Sequence, residues 1–308
     1  MGHVHNHNHG HNHSHSFDGN VNRAFAAGII LNSIYIIVEA LYGVLSHSMA
    51  LLADAGHNLS DVLGLVLAWG ASYLLTKHPT RFRTYGFRKS TILAALLNAI
   101  LLLIAIGGIG LEAVKRFFNP EPVNGVTVII VSAIGVVING LTAFLFVKGK
   151  EHDLNIKGAF LHMAADAAVS LGVVVAGIII LNFNIYWIDP LISIVIMLVI
   201  LLGTWNLLKD SFNLAMDSVP NNVDITGVEN YLKSVPGVVE FHDLHIWAMS
   251  TASNALTVHL VTKNRFIDDG LTKKISGDLN MKYGIEHTTI QFEAGEKEMN
   301  CCPDCIKS

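Results

Sequence analysis

Two pairs of potential metal ligands stand at the same spacing inside apolar stretches. The first is His57 and Asp61, in His57-Asn58-Leu59-Ser60-Asp61. The second is His162 and Asp166, in His162-Met163-Ala164-Ala165-Asp166. Residues four apart lie one above the other on one face of an α-helix. An ionisable side chain within a membrane span is unfavourable and marks an ion or proton path. Together the pairs offer two imidazoles and two carboxylates, a tetrahedral N2O2 set that suits Zn2+. The chemistry that this spacing predicts is metal transport. Asp54, one turn before His57, is open to two roles, a further ligand or a carboxylate that orients the imidazole. The second is the expectation. Asn58, Asn155 and Ser170 read as helix–helix hydrogen-bond donors. Glu39 and Asn32 read equally as lining of a polar path or as helix packing.

The elements that must position these residues follow from composition. The 308 residues are 52% hydrophobic and 14% charged, with a mean hydropathy of +0.48. A soluble domain carries about 25% charged residues, so a membrane protein in a lipid bilayer is expected. The apolar segments run at about 24–45, 49–75, 90–115, 125–147, 156–181 and 187–209. Each is near or above the roughly 20 residues that a span needs. Gly107-Gly108 and Ala164-Ala165 allow close helix approach in lipid. Six spans place both termini on one side. The loops after spans two and four hold Lys77, Arg81, Arg83, Arg88, Lys89, Lys148, Lys150 and Lys157. The positive-inside rule then predicts a multi-pass protein of the cytoplasmic membrane with both termini in the cytoplasm. No secretory signal peptide is expected, because the first apolar run is long and follows a polar leader. The net charge of −4 says little about partners, and no nucleic acid is expected among them.

Three regions are therefore expected: residues 1–22 as a polar cytoplasmic arm, 23–212 as a six-helix transport domain, and 213–308 as a cytoplasmic metal-binding domain. The arm, HVHNHNHGHNHSHS, alternates seven His with small polar residues. It cannot bury a core, and it reads as a disordered, weak zinc-collecting segment. After Pro220 the pattern is that of a small α+β domain in the order αββαβ. Asp224–Val235 reads as a helix with Asp224 as N-cap, and Ile267–Tyr283 as a helix ended by Gly284. Val238–Met249, Asn254–Thr262 and Ile285–Phe292 read as strands. Candidate ligands here are His242, His245, His259, Glu286, His287, Glu293, Cys302 and Cys305. His242 and His245 differ in strand parity, so they are expected on opposite faces, too far apart to share a metal. The three Cys form one local cluster, Cys301-Cys302-Pro303-Asp304-Cys305, which suits a soft-metal site in a reducing compartment rather than a disulfide framework. Trp247 reads as a packing residue.

Four motifs stand in order along the chain: LLADAGHNLSDVLGL, RTYGFRKSTILAALLNA, GAFLHMAADAAVSLG and HDLHIW. With these, residues 24 to 293 resemble the cation diffusion facilitators, in particular the bacterial zinc-type branch. The resemblance implies homodimeric zinc/proton antiporters with six spans and a cytoplasmic metallochaperone-like domain. It implies a transport site at His57, Asp61, His162 and Asp166. It also implies that His rather than Asp at position 57 goes with a preference for zinc over manganese or cadmium. Arg88 and Asp217 match the basic and acidic partners that tie the membrane part to the cytoplasmic domain. By similarity to the animal zinc-transporter branch, His242, His259, Glu293 and Cys302 would form one Zn2+ site. Cys302 and Cys305 would help form a second, completed by His from the partner chain's N-terminal arm. Glu286 and His287 are open, because an animal-type His aligns with Glu286 while the His here is one residue later. Some relatives carry a further metal site in the loop between spans two and three. Here that loop is HPTRFRTYGF, with His78 as its one plausible ligand, and no such site is expected.

Two other classes compete. An intramembrane metalloenzyme needs an open metal position and a general base, whereas four ligands saturate the ion and no HExxH appears. A membrane-bound metal sensor or scaffold needs only the cytoplasmic ligands, and the paired intramembrane set argues against it. The expectation is a zinc exporter driven by proton entry, and not an enzyme.

Overall fold

A computed structural model of the chain describes residues 19–147, 154–263 and 269–295. Most of the His-rich arm, Lys148, Lys150 and all three Cys lie outside these residues. Six long helices come first: α1 (Gly19–Leu45), α2 (Met49–Leu75), α3 (Ser90–Phe118), α4 (Gly125–Phe146), α5 (Leu154–Phe183) and α6 (Ile188–Ala215). The helices α2 to α6 are each long and apolar enough to cross a membrane, and α1, with 27 residues, is the sixth. At 1.5 Å per residue such a helix is about 40 Å long, more than the roughly 30 Å hydrocarbon layer. Large apolar side chains such as Ile37, Trp69 and Phe118 stand on the outside of the bundle, as a lipid-facing surface requires. The protein is a multi-pass membrane protein.

The bundle interior mixes large apolar side chains such as Leu51, Ile92 and Ile180 with small residues. Ala50, Ala53, Ala55, Ala99 and Ala113 are all buried. The helices α4 and α5 approach most closely at two glycines. A Cβ on Gly125 would lie 2.9 Å from the Gly177 carbonyl, and one on Gly177 would lie 2.8 Å from Ile129. In lipid, where apolar burial gives no drive to associate, such contact supplies the packing energy. The start of α2 is fixed from α6. The buried Asp189 carboxylate accepts from the Ser48 hydroxyl and from the backbone N–H groups of Met49 and Ala50. The Ser48 hydroxyl oxygen in turn accepts from the Leu51 N–H. These contacts satisfy donors that every helix N-terminus leaves free.

Beyond Asp217, at φ +58°, the chain enters a small α+β domain. It comprises α7 (Ile225–Ser234), β1 (Val238–Ser250), β2 (Ser253–Thr262), α8 (Asp269–Tyr283) and β3 (Ile285–Ala294), in the αββαβ order read from the sequence. Asp224 caps α7 by accepting from the Gly227 N–H at 3.0 Å. Gly284, at φ +66°, ends α8. The sheet order is β1-β2-β3. β1 and β2 form an antiparallel pair, while β3 returns through α8 to lie parallel to β2. One face of the sheet packs Phe241, Ile246, Leu256, Val258 and Leu260 against Leu232 of α7 and Ile275 and Leu279 of α8. That burial is what holds so small a domain together. Tyr231 donates to Asp278 at 2.7 Å and so ties α7 to α8. Burial, then the Asp278 carboxylate, pushes the Tyr231 phenol upward, so the bond persists across the physiological range.

Candidate metal centres

The His and Asp of each helical pair meet the other pair across α2 and α5. His57 Nε2 is 3.8 Å from Asp61 Oδ2 and 3.4 Å from Asp166 Oδ1. His162 Nε2 is 3.3 Å from Asp61 Oδ2 and 3.6 Å from Asp166 Oδ2. Asp61, His162 and Asp166 present ligand atoms that all lie within 4.8 Å of one another. His57 joins through the two carboxylates, and its ring meets the His162 ring edge-on at 6.1 Å between centroids. No hydrogen bond occupies Asp166 Oδ2 or His57 Nδ1. The Asp166 side chain is 3% exposed and that of His162 is 43%. Asp61 and His162 lie on the side of the quartet toward the C-terminal domain. These two are also the more exposed members of the quartet, at 33% and 43%.

Asp54 does not orient the imidazole. It is fully buried, and its Oδ2 accepts from Ser170 Oγ of α5 at 2.9 Å. Its side chain therefore leaves the helix face toward α5 and α1 rather than along α2. Glu39 is also fully buried and accepts from Tyr35 at 2.7 Å and from Asn58 Nδ2 at 3.3 Å. This polar cluster on α1, α2 and α5 lies one turn beyond the quartet.

A second group forms on the sheet. His242, His259 and Glu293 present ligand atoms within 4.8 Å of one another. His242 Nε2 is 3.4 Å from Glu293 Oε2, and His259 Nδ1 is 3.0 Å from Glu293 Oε1. His242 Nε2, His259 Nδ1 and Glu293 Oε2 are buried and carry no hydrogen bond. Buried polar atoms are seldom left unpartnered. Three of them converging, two imidazole nitrogens and a carboxylate oxygen, fit a zinc ion. Register explains the convergence: His242 stands opposite His259 across β1 and β2, and Glu293 is on the neighbouring β3.

The parity argument for His242 and His245 fails. The register advances three residues on β1, from His242 to His245, against two on β2, from His259 to Thr257. The extra residue is a bulge, with Asp243 at φ +53°, and it returns both His to one face. His245 still stays out of the cluster, 3.0 Å from Asp243 Oδ1, while Asp243 Oδ2 is 3.6 Å from His259 Nε2. Asp243 was missed in the sequence, because strict alternation leaves no place for it beside His259. Glu286 and His287 are exposed and do not join the cluster. His287 lies six residues before Glu293, about 20 Å along the strand, and its ring meets Tyr85 of the α2–α3 loop at 5.7 Å. Cys302 and Cys305 lie outside the described residues.

The expected pairing of Arg88 with Asp217 is also corrected. Asp217 Oδ1 accepts from Lys89 Nζ at 2.7 Å. Arg88 instead reaches Ser253 Oγ at 3.4 Å, at the β1–β2 turn. Adjacent residues at a helix start point in different directions, so the neighbour of the expected residue makes the ion pair. The Thr251 N–H donates to Thr91 Oγ1 of α3 at 3.1 Å beside it.

Two family models cover most of the chain. The one described as "Cation efflux transmembrane domain" matches residues 25–214, and the one described as "Cation efflux protein, cytoplasmic domain" matches residues 220–295. Similar proteins include the "Cadmium, cobalt and zinc/H(+)-K(+) antiporter" of Bacillus subtilis (strain 168), 36% identical over 95% of this chain and 92% of the relative. The "Metal cation efflux system protein CzcD" of Cupriavidus metallidurans is 35% identical over 89% of this chain and 87% of its own. The "Zinc transporter ZitB" of Shigella flexneri is 36% identical over 90% and 88%. Among solved structures, the metal-bound C-terminal domain of the CzcD transporter is 40% identical, covering 23% of this chain and 99% of its own, with a TM-score of 0.21.

Proposed function

The chain belongs to the cation efflux family, whose members compared above are transporters rather than enzymes, and on that premise we propose that it exports Zn2+ from the cytoplasm in exchange for protons. The observation that carries the reading is the meeting of two imidazoles and two carboxylates at 3.3–3.8 Å between α2 and α5. His57, Asp61, His162 and Asp166 bind the cargo. Four ligands of this kind suit a tetrahedral ion of zinc's size and hardness.

Exchange follows from competition for the same lone pairs. Zinc needs neutral imidazoles and ionised carboxylates, and an unperturbed imidazole titrates near pH 6.5. Facing the cytoplasm, the quartet gives up protons and takes the ion. Facing the more acidic outside, it takes protons and gives up the ion. Both termini and the C-terminal domain lie in the cytoplasm in this reading, which agrees with the basic residues of the α2–α3 loop. The protein works as a homodimer, in keeping with its cytoplasmic domain family.

His242, His259 and Glu293 hold a resident Zn2+ in the C-terminal domain, with Cys302 and Cys305 of the tail as further ligands. Such an ion supplies cross-linking without redox chemistry. The chain's own part is to align the two imidazoles and the carboxylate from three adjacent strands.

Zinc flux in proteoliposomes tests the transport site. The wild type should move Zn2+ faster under an opposing proton gradient. Asp61→Ala and Asp166→Ala should fall to the level of empty liposomes while remaining dimers on size-exclusion chromatography. Normal flux in either variant would overturn the assignment of the quartet. Flux indifferent to the gradient would overturn the exchange.

A further inference from the structure

Glu39 and Asp54 form a buried acidic pair that the metal site does not use. Both are fully buried. Asn58, which donates to Glu39 at 3.3 Å, stands one helical turn after Asp54 on α2, so the two carboxyls belong to one buried cluster. The surroundings are neutral donors. Tyr35 OH and Asn58 Nδ2 donate to the two oxygens of Glu39, and Ser170 Oγ donates to Asp54 Oδ2. Among the described residues no Lys, Arg or His hydrogen bonds or ion-pairs with either carboxyl. Two acceptor oxygens, Asp54 Oδ1 and Asn58 Oδ1, are buried without any donor. The cluster is therefore short of one positive charge and of at least one hydrogen. Two ionised carboxylates in so dry a place repel each other, and one of them stays protonated.

We propose that Glu39 holds a transportable proton, shared with Asp54, at a site separate from the His57–Asp61–His162–Asp166 quartet. This rests on the zinc/proton exchange reading and gives it a second location. The elements packed on the pair set its coupling. From α1 come Tyr35 and Glu39 itself, and from α5 Ser170, with Asp166 one turn further on. From α4 comes the Val131 carbonyl, 3.4 Å from Tyr35 OH. From α2 come Asp54 and Asn58, and the His57 imidazole follows Asp54 by three residues, about 4.5 Å along the axis. A divalent ion in the quartet is thus about one helical turn from Asp54 along α2, where its field favours two negative carboxylates. Zinc arrival releases the shared proton as H+, and the Glu39 O–H bond breaks with its electron pair left on the carboxylate. Zinc departure restores the O–H bond from a proton taken up on the opposite side. No oxidant or co-reactant is needed.

The test uses the full-length protein in proteoliposomes with a zinc dye and a pH dye. Glu39→Gln keeps an acceptor for Tyr35, and its NH2 group supplies N–H donors for the bare Asp54 oxygen and, once the Asn58 amide turns over, for the Asn58 oxygen. Zinc-for-zinc exchange without a pH gradient should match the wild type. Protons moved per zinc should fall by about one, the number that linkage assigns to one lost titrating group. Glu39→Asp should restore proton movement, which a purely structural role would not require. In infrared difference spectra, added zinc should remove a protonated-carboxyl band from the wild type and not from Glu39→Gln. An unchanged proton-to-zinc ratio in Glu39→Gln overturns the proposal. So does a loss in Glu39→Gln that follows potassium or sodium rather than pH, which marks an alkali-cation site. Should Glu39→Gln not assemble, Asp54→Asn is read in the same assays, and an unchanged ratio there overturns the proposal too. If the wild type moves no protons at all, the exchange reading fails instead, so the two failures are distinguishable.

Discussion

At the scale of single residues, the four proposed transport ligands differ in surroundings as well as in type. Asp166 is sealed in, whereas the His162 side chain is 43% exposed. His57, like His162, lies within 4 Å of both carboxylates, and it is the less exposed of the two imidazoles. It is also the residue whose type decides the donor set, N2O2 against NO3. Replacing it with a carboxylate gives a harder, more anionic site that accepts larger ions at higher coordination. We predict that His57→Asp retains zinc flux and lowers the ratio of zinc to cadmium rates severalfold, read by parallel flux assays with the two ions. An unchanged ratio would show that selectivity lies elsewhere. The quartet was legible in the sequence because helical periodicity is robust: four residues make one turn whatever the helix packs against. Asp54 was misread for a related reason. Spacing gives the face of a helix but not which neighbouring helix stands there, and Ser170 of α5 took the carboxylate.

At the scale of elements, the decisive contacts are at ends and irregularities. The cap that Asp189 places on α2 joins the first turn of the ligand-bearing helix to α6. A charge-assisted hydrogen bond to a buried donor contributes about 1.5–3 kcal/mol. Asp189→Ala leaves two N–H groups and a hydroxyl without that partner, and should destabilise the protein by about 2–4 kcal/mol. A thermal-shift assay in detergent would show it as a lowered midpoint, and an unchanged midpoint would mean that water or lipid replaces the carboxylate. The α+β domain was legible down to the Asp224 cap and the Gly284 stop, since both signals are local. The bulge at Asp243 was not. An extra residue in one strand is visible only through its partner strand, and nothing in HDLHIW announces that two residues oppose one. The ion pair of Asp217 was misassigned by one residue for the same reason: the choice between Arg88 and Lys89 is made by where the turn before α3 aims each side chain.

At the scale of the whole molecule, the contacts between the membrane bundle and the α+β domain include Lys89–Asp217, Arg88–Ser253, Thr91–Thr251 and the Tyr85–His287 ring contact. The Lys89–Asp217 pair is half exposed and contributes at most about 1 kcal/mol. Metal bound at the proposed site in the C-terminal domain would bias this junction to the extent that its affinity differs between two states. We predict that Cys302→Ser combined with Cys305→Ser lowers zinc bound per subunit and leaves the membrane quartet able to bind. Metal counting on the purified double variant checks this, and an unchanged zinc-to-protein ratio would remove the tail from the ligand set. The glycine contact between α4 and α5 has one more consequence. With backbones touching at Gly125 and Gly177, α5 cannot slide without carrying α4 along. His162 and Asp166 therefore ride on one raft and His57 and Asp61 on another, moored to α6 at Asp189. An ion gripped from both rafts would add a rivet to the Ser170–Asp54 hydrogen bond that already joins them. The spacing of α2 from α5 is then a gauge of cargo, one that a pair of spin labels on the two helices would read directly.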